Sequence, residues 1–373
     1  MRRSALIVGG GITGLTHAIA ARQKGFDAEI IERRPGGDST GGGLLLTGPA
    51  VRALRAVGLA AQCIAEGYPL FRTLNCDARG ELRNIMALPS VLGPGQPTDV
   101  GISRTTLHRI LCDRAIELDS VLRTGLSIED VEDAGDSTGR IRVRLTDGTV
   151  RTVDYLVAAD GVHSSTRTKL GLTVEPWYLG QVVWRAVVKR PSWASDPHTF
   201  SGPTYTTGLT PISSDEAYVF LTENLDEPEK VLPDERVERL QDLLAPFGGR
   251  FAEVRSGIVQ PEQIVRIPVH TVFVDGPWHA GRGVLAGDAA HAPAPHLNSG
   301  AALAMEDAVV LADELSTYED VETALLAYSK RRLNRARALV ATSVQAILSE
   351  QAGRHDELNR LQRQGHGDMA API

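Results

Sequence analysis

Ala5-Leu6-Ile7-Val8-Gly9-Gly10-Gly11-Ile12-Thr13-Gly14 decides the fold, because an unbroken apolar run passes at once into the spacing G-x-G-x-x-G. Four consecutive apolar residues read as a buried strand. Leu15 to Lys24 is helix-compatible and Ala28 to Ile31 is apolar again, so residues 4–32 spell strand, glycine turn, helix, strand. In that context the three glycines answer different needs. Gly9 makes the tight turn, Gly11 admits a pyrophosphate against the backbone, and Gly14 lets helix and strand pack closely. Ile12 and Thr13 open the helix, whose unpaired N–H groups and partial positive charge face the phosphates. Ala18 and Gly25 are small where this helix meets the sheet. Glu32 ends the second strand, where a carboxylate accepts from ribose hydroxyls and favours a 2′-OH over a 2′-phosphate. Arg33, beside it, is assigned to the same site. A glycine turn without ligand is the plainer alternative, and the acidic residue in register weighs against it. The fingerprint alone leaves FAD and NAD both open.

The 373 residues, 42% of them hydrophobic, suffice for a large core or for two packed lobes. A formal charge of −7 argues against general nucleic-acid or anionic-membrane binding, since neither polyanion is attracted to such a surface. Cys63, Cys76 and Cys112 form no CxxC pair, so neither a disulfide framework nor a zinc site is expected, and a reducing cytoplasm fits. The basic start Met1-Arg2-Arg3 precedes an apolar run that glycines interrupt, which reads as a first strand rather than a signal peptide. No membrane-spanning segment is expected.

Beyond the opening unit, a glycine-rich stretch (Gly36, Gly37, Gly41 to Gly43) leads to a helix around Ala50 to Val57, closed by Gly58. Phe71 to Leu88 suggests a hairpin turning at Asp77 to Gly80, and a helix follows around Thr105 to Glu117. Arg140 to Leu145 and Val150 to Val157 flank Asp147-Gly148, a dipeptide suited to a tight turn, and predict a small β-meander. From Gly180 to Val269 short β-rich runs (Val182 to Val188, Tyr218 to Leu221, Ile264 to Val269) surround one helix, Asp234 to Leu244, predicting a second, sheet-based lobe. Val284 to Ala286 is strand-like; Ala301 to Leu315 and Val321 to Leu348 are helical, with a polar tail whose last ten or so residues are expected to be loosely ordered. No internal repeat is visible. The expected fold is α/β: a Rossmann-like dinucleotide-binding domain with an inserted β-sheet domain and C-terminal helices. Its segments are 1–175 (binding domain, first part), 176–272 (substrate-binding sheet domain) and 273–373 (binding domain, second part, with the helices).

Two further motifs narrow the reading. Leu156-Val157-Ala158-Ala159-Asp160-Gly161-Val162-His163-Ser164-Ser165-Thr166-Arg167 resembles the Asp-Gly motif of the para-hydroxybenzoate hydroxylase family, the single-component aromatic flavin hydroxylases. Arg282-Gly283-Val284-Leu285-Ala286-Gly287-Asp288-Ala289-Ala290-His291 is similar to that family's Gly-Asp motif, followed by Pro295 and Met305-Glu306-Asp307-Ala308. Gly43 to Ala50 resembles the loop after the second strand, and Ile102 to Leu107 the segment whose arginine, here Arg104, contacts FAD. Trp184-Arg185-Ala186 looks like the substrate-domain strand of the salicylate- and urate-hydroxylase branch. The resemblance spans residues 5 to 315 and implies FAD as cofactor, NADH or NADPH as reductant and O2 as co-substrate.

Each motif also has a reading from its chemistry. Asp288 at a strand end can accept from a ribityl hydroxyl while Ala289 and Ala290 leave room for the cofactor chain; an ordinary helix N-cap is the alternative. Gly300 and Ala301 open a helix whose N–H groups can stabilise charge near the flavin N1–C2 carbonyl. Asn298, Ser299 and Gly300 stand where many relatives carry Gly-Gln-Gly, and Asn is the residue next most tolerant of positive φ. The resemblance makes Asp160 and Arg167 contacts to FAD and the reductant's pyrophosphate region; a structural ion pair is the alternative for Arg167. His163 and His291 invite a general-base reading, against which packing and hydrogen bonding stand. Arg331, Arg332, Arg335 and Arg337 read as a solvated helix face rather than a phosphate site.

The implied cycle is reduction of flavin by NAD(P)H, then addition of oxygen at C4a to give a hydroperoxide that delivers one oxygen atom to a small organic substrate, aromatic or polyketide-like. No second nucleotide fingerprint appears, which suits a family without a separate NAD(P) domain. The sequence does not mark a catalytic base; pocket candidates are Arg185, Tyr205 and Tyr218, with Trp184 beside them, and His296 by the flavin loop. Each has core or pocket wall as its plainer role. A flavin-dependent dehydrogenase, epoxidase or Baeyer–Villiger enzyme is the competing enzymatic reading, and an FAD-binding protein without turnover the non-enzymatic one. A two-lobe monomer or homodimer acting on a small molecule is expected.

Overall fold

The computed structural model describes residues 2–36, 42–87, 91–133, 139–202 and 205–373. Gly37 and Gly41 of the glycine-rich stretch and Leu88 of the hairpin lie outside them.

The opening apolar run becomes the strand Ser4–Val8, buried at four of its five residues, with parallel partners on both sides: Asp27–Glu32 and Tyr155–Ala158. Gly283–Leu285 extends this parallel sheet beyond Tyr155–Ala158, Val121–Thr124 extends it beyond Asp27–Glu32, and His279–Ala280 closes one edge antiparallel, giving six strands. The helix Ile12–Gln23 packs on it with the helix Gly300–Thr317 behind, both rich in small buried residues. The predicted meander forms from Ile128–Asp133, Ile141–Leu145 and Val150–Val153, but the run expected to continue to Val157 divides at Asp154. The Asp154 carboxylate accepts from both the N–H and the hydroxyl of Ser4, and this anchor hands the chain over to the parallel sheet.

The second sheet has eight strands, centred on Trp177–Lys189 between Glu216–Asn224 and Ile264–Phe273. It also takes in the hairpin Thr73–Asp77 and Leu82–Met86, which the chain contributes from well before residue 176. Strand alternation sorts its side chains. Val182, Trp184, Ala186, Val219 and Leu221 point into an apolar core with Phe247 and Phe251 beneath the helix Arg236–Leu244. Val183, Arg185, Tyr218, Phe220 and Thr222 point to the opposite face. Trp184, fully buried, donates to Glu223 at 2.7 Å and is therefore core, not pocket.

The tail departs from expectation. His355–Ala370 is a helix that buries Leu358, Leu361, Gly365 and Met369 along one stripe, where a loosely ordered end was expected. A Cβ on Gly365 would come within 2.8 Å of Leu297, so the missing side chain is what lets this helix lie against the Pro295–Leu297 turn. Arg52 and Arg335 hold its last carbonyls at Asp368 to Ala371, satisfying groups a helix end leaves open. The arginine run is a solvated face only in part: Arg331 and Arg337 are exposed, while Arg332 and Arg335 turn to buried carboxylates. Arg332 is 1% exposed and pairs with Glu306 at 3.0 Å and Asp307 at 2.7 Å, while Arg335 joins Glu306 at 2.9 Å. Buried guanidinium needs buried carboxylate, and the helix Gly300–Thr317 supplies two. Among the described residues no helix is long and apolar enough to cross a membrane.

Candidate active site

Three loops meet at the C-terminal ends of the parallel strands, where open α/β sheets place their ligands. The first is the fingerprint turn. Gly9 has φ +109°, and a Cβ there would overlap the Ala159 carbonyl; a Cβ on Gly14 would overlap the Gly9 carbonyl oxygen. Gly11 differs, since its Cβ would have no protein atom within 4 Å. Gly11 is also the N-cap of the helix, without a side-chain cap or an acidic residue in the first turn, so its leading N–H groups face an open space. Glu32 accepts from the Gly10 N–H at 2.9 Å and the Arg34 N–H at 2.9 Å, which fixes its carboxylate beside that turn. Gly25 takes φ +82° with nothing near its Cβ position, so it is a turn residue and not a helix–sheet contact.

The second is the Gly287–Ala289 turn. A Cβ on Gly287, φ +61°, would overlap Thr13, so this turn rests directly on the start of the first helix. The Gly287 N–H donates to Asp307 at 2.9 Å, and the same carboxylate oxygen meets His291 at 2.6 Å. Burial alone would raise Asp307, yet His291 and Arg332 beside it hold its pKa at about 2. The buried ion pairs thus reach from the long helix Val321–Gln351 to the turn carrying Asp288. That side chain is open to water at the floor of the groove but closely surrounded by protein, and this surrounding raises its pKa against the pull of His291 and Arg104. His291, 1% exposed and bound to Asp307, is a structural histidine.

The third is the Asp160 loop. Asp160 accepts from Ser164 at 2.5 Å and from the Thr166 N–H at 3.1 Å, so its carboxylate caps its own loop. Among the described residues Arg167 forms no ion pair, the alternative expected for it. It is 2% exposed and donates to the carbonyls of Val162 and Ala289, which ties this loop to the Asp288 turn. His163 stacks edge-on against His270 at 5.0 Å, and burial, His270 and Arg167 lower its pKa.

From Asp288 the groove continues past Arg104 and Arg185. Burial lowers the Arg104 pKa, then the charge of Arg185, with Asp288 opposing; the Nε atoms of both arginines are buried without partners. Gly42 lies against Arg185, and Gly43 packs on the Tyr218 ring, where a Cβ would overlap it. Asn298 takes φ +50°, the left-handed conformation anticipated for it. It turns the chain from Pro295–Leu297 into the helix Gly300–Thr317, whose N-cap Ser299 is 1% exposed with an unpartnered hydroxyl. Two uncapped helix starts, orphaned buried polar atoms and a glycine facing open space fit an elongated anionic cofactor.

The groove opens into a cavity of about 380 Å³ between the outward face of the second sheet, the Pro295–Asn298 turn and the C-terminal helix. Arg185, Tyr218 and His296 of the pocket candidates line it. Tyr205 does not: it packs against the core beneath the sheet, because it alternates with Thr206, which faces the cavity. Burial raises the Tyr218 pKa, with Arg185 opposing. His296 reaches Glu350 at 2.8 Å, and Gln181 donates to the same carboxylate at 2.8 Å. Burial would raise Glu350, but the hydrogen bond and charge of His296 help hold it at about 2.

Asp99, 6% exposed at the cavity wall, carries no motif that the sequence could flag. Burial lifts its carboxyl to about 7, partly offset by the Gly48 N–H it accepts at 3.1 Å. A folded pKa above the unfolded one means the native state holds this proton more tightly, so stability falls as pH rises from the ordinary carboxylate range through 7. Asp99→Asn should therefore match wild type at pH 4 and exceed it at pH 8, by up to about 4 kcal/mol. Thermal melts at the two pH values measure this; a difference independent of pH would refute it.

The fold and groove define a flavoprotein with an attached eight-stranded sheet. Residues 2–343 match the family described as FAD binding domain. Aurachin C monooxygenase/isomerase of Stigmatella aurantiaca is 33% identical over 345 residues, which cover 91% of this chain and 87% of that protein. The FAD-dependent urate hydroxylase of Klebsiella pneumoniae is 30% identical over 347 residues, covering 90% and 87%. The crystal structure of Klebsiella pneumoniae HpxO complexed with FAD and uric acid superposes with a TM-score of 0.88 at 25% identity, covering 99% of this chain and 97% of that one. The chain belongs to the FAD binding domain family, in the para-hydroxybenzoate hydroxylase group the motifs resembled. It is an FAD-dependent monooxygenase.

Proposed function

We propose that this monooxygenase uses NADH or NADPH and O2 to place one oxygen atom on a small aromatic or polyketide-like substrate held in the cavity beside the Pro295–Asn298 turn. The observation that carries the reading is that Arg185, Pro295 and Asn298 line the cavity while Arg104 feels the charges of both Arg185 and Asp288, so cavity and cofactor loops adjoin. Relatives named for urate, aurachin C and 3-amino-4-hydroxybenzoate support a ring substrate.

FAD, once bound and reduced, supplies oxygen activation at its C4a position. The chain's own groups do the rest. The N–H groups following Gly9 and Gly11, at Ile12, Thr13 and Gly14, would hold the diphosphate, and Glu32 with Arg33 would receive the adenosine ribose. Gly43 and Arg104 would serve the isoalloxazine, and Asp288 would take a ribityl hydroxyl. Pro295 and Asn298 shape the edge of the ring site, while the N–H groups of Gly300 and Ala301 offset negative charge there. Gly287 and Asp160 shape the two supporting loops. Segments 1–175 and 273–373 build the cofactor domain in this reading, and 176–272 the body of the substrate domain. A cytoplasmic monomer or homodimer is the setting we assign.

Oxygen uptake by the FAD-loaded protein with NADH and with NADPH, against phenolic, heteroaromatic and polyketide-like compounds, tests the proposal. The expected result is compound-stimulated oxidation with label from ¹⁸O2 in the product. Oxidation without label in any product would favour the dehydrogenase alternative, and FAD binding with no stimulated turnover would end the monooxygenase reading of this cavity.

A further inference from the structure

His355, Asn359, Gln362 and His366 lie on one face of the C-terminal helix, at spacings of four, three and four residues, and all four line the cavity. The adjoining stripe of Leu358, Leu361, Gly365 and Met369 does the packing. A helix whose second face is needed only for solubility carries charged residues there; this one turns amide and imidazole groups toward a cavity. His355 and Asn359 sit at the rim, and Gln362 and His366 deeper. His366 Nδ1 is buried without a partner, and burial lowers the pKa of the ring, so it stands neutral as donor and acceptor. The sheet wall opposite presents Asn75, Thr199, Thr206 and Thr222.

Charge and size describe the site further. Asp77 is held by Arg83 at 2.6 Å and Glu350 by His296 at 2.8 Å, and burial lifts the Asp99 carboxyl to about 7, which leaves Arg185 without an ion-pair partner among the described residues and ready to meet an oxygen of the occupant. Benzene fills a cavity of about 150 Å³, so roughly two to three rings fill 380 Å³.

We propose that the C-terminal helix is the substrate-selecting wall of the enzyme, and that its polar stripe recognises an oxygen-rich molecule of two or three rings. This rests on the cavity being the substrate site. Buried hydroxyl and amide partners discriminate strongly against a ligand that leaves them unpaired, which makes the stripe a filter as well as a grip.

Calorimetric titration of the FAD-loaded protein with quercetin, flavone and salicylate tests it. Quercetin is expected to bind more tightly than flavone, which has the rings without the hydroxyls, and than salicylate, a one-ring anion. Asn359→Leu at the rim and Gln362→Leu inside should each weaken quercetin about five- to tenfold and leave flavone unchanged. FAD content reports that each variant is folded. Quercetin binding no tighter than salicylate, or unaffected by both substitutions, would overturn the assignment. A protein that takes up no FAD would instead sink the cofactor reading beneath it.

Discussion

Gly11→Val is expected to fold and to purify without its yellow colour. At this position the backbone is extended, φ −84° and ψ −171°, which valine adopts readily, and the new Cβ would meet no protein atom within 4 Å. The space it enters is the one we assign to the diphosphate. A branched side chain there separates phosphate from the leading N–H groups, and losing two charge-assisted hydrogen bonds weakens FAD by at least ~100-fold, about 3 kcal/mol. The visible spectrum and FAD-to-protein ratio measure the loss, while circular dichroism shows the fold intact. Gly14→Val should behave differently, because its Cβ overlaps the Gly9 carbonyl and the turn itself must break. A Gly11→Val protein with wild-type FAD content would put the diphosphate elsewhere.

The second large effect is expected at Arg332→Met. Methionine fills the space without charge, so Asp307 loses its 2.7 Å partner and Glu306 its 3.0 Å partner, both wholly buried. Breaking one side of a buried pair typically costs about 3–5 kcal/mol, far more than the pair itself contributes. Glu306 keeps Arg52 and Arg335; Asp307 keeps His291, so the damage centres on Asp307. Because Asp307 also binds the Gly287 N–H, weaker FAD retention should accompany the lower melting temperature. Arg332→Lys restores charge without the planar fork and should fall between. Stability within about 1 kcal/mol of wild type for the Met variant would mean that these carboxylates are satisfied without Arg332.

The parts of the molecule legible in its sequence are those set by local backbone demands. Gly9, Gly14 and Asn298 are needed for conformations or close approaches that few residues allow, so their positions carry meaning on their own. Short β-rich runs similarly announced the second lobe. What escaped depends on partners distant in the chain. Arg332 and Arg335 read as solvent-facing because Glu306 and Asp307 sit on another helix, 25 to 29 residues earlier. The helix His355–Ala370 was hidden by Gly365 and Gly367 and by sparse apolar residues; Gly365 makes sense only once Leu297 is seen against it. The spacing of its polar stripe was readable, had the segment been taken as helical. Asp99 gave no signal at all, since its burial comes from elements around the cavity and not from its neighbours in sequence.

The order of strands in the first sheet governs how the newborn chain can mature. Tyr155–Ala158 needs Gly283–Leu285 on its far side, and five strands of the eight-stranded sheet are encoded between them. The ribosome must pass Leu285 before the half built on the first sheet can close, so that half waits with an unpaired strand edge exposed. Cutting the gene at the lobe boundary will accordingly not release a free-standing flavin carrier, whereas supplying the two outer segments together restores the missing edge.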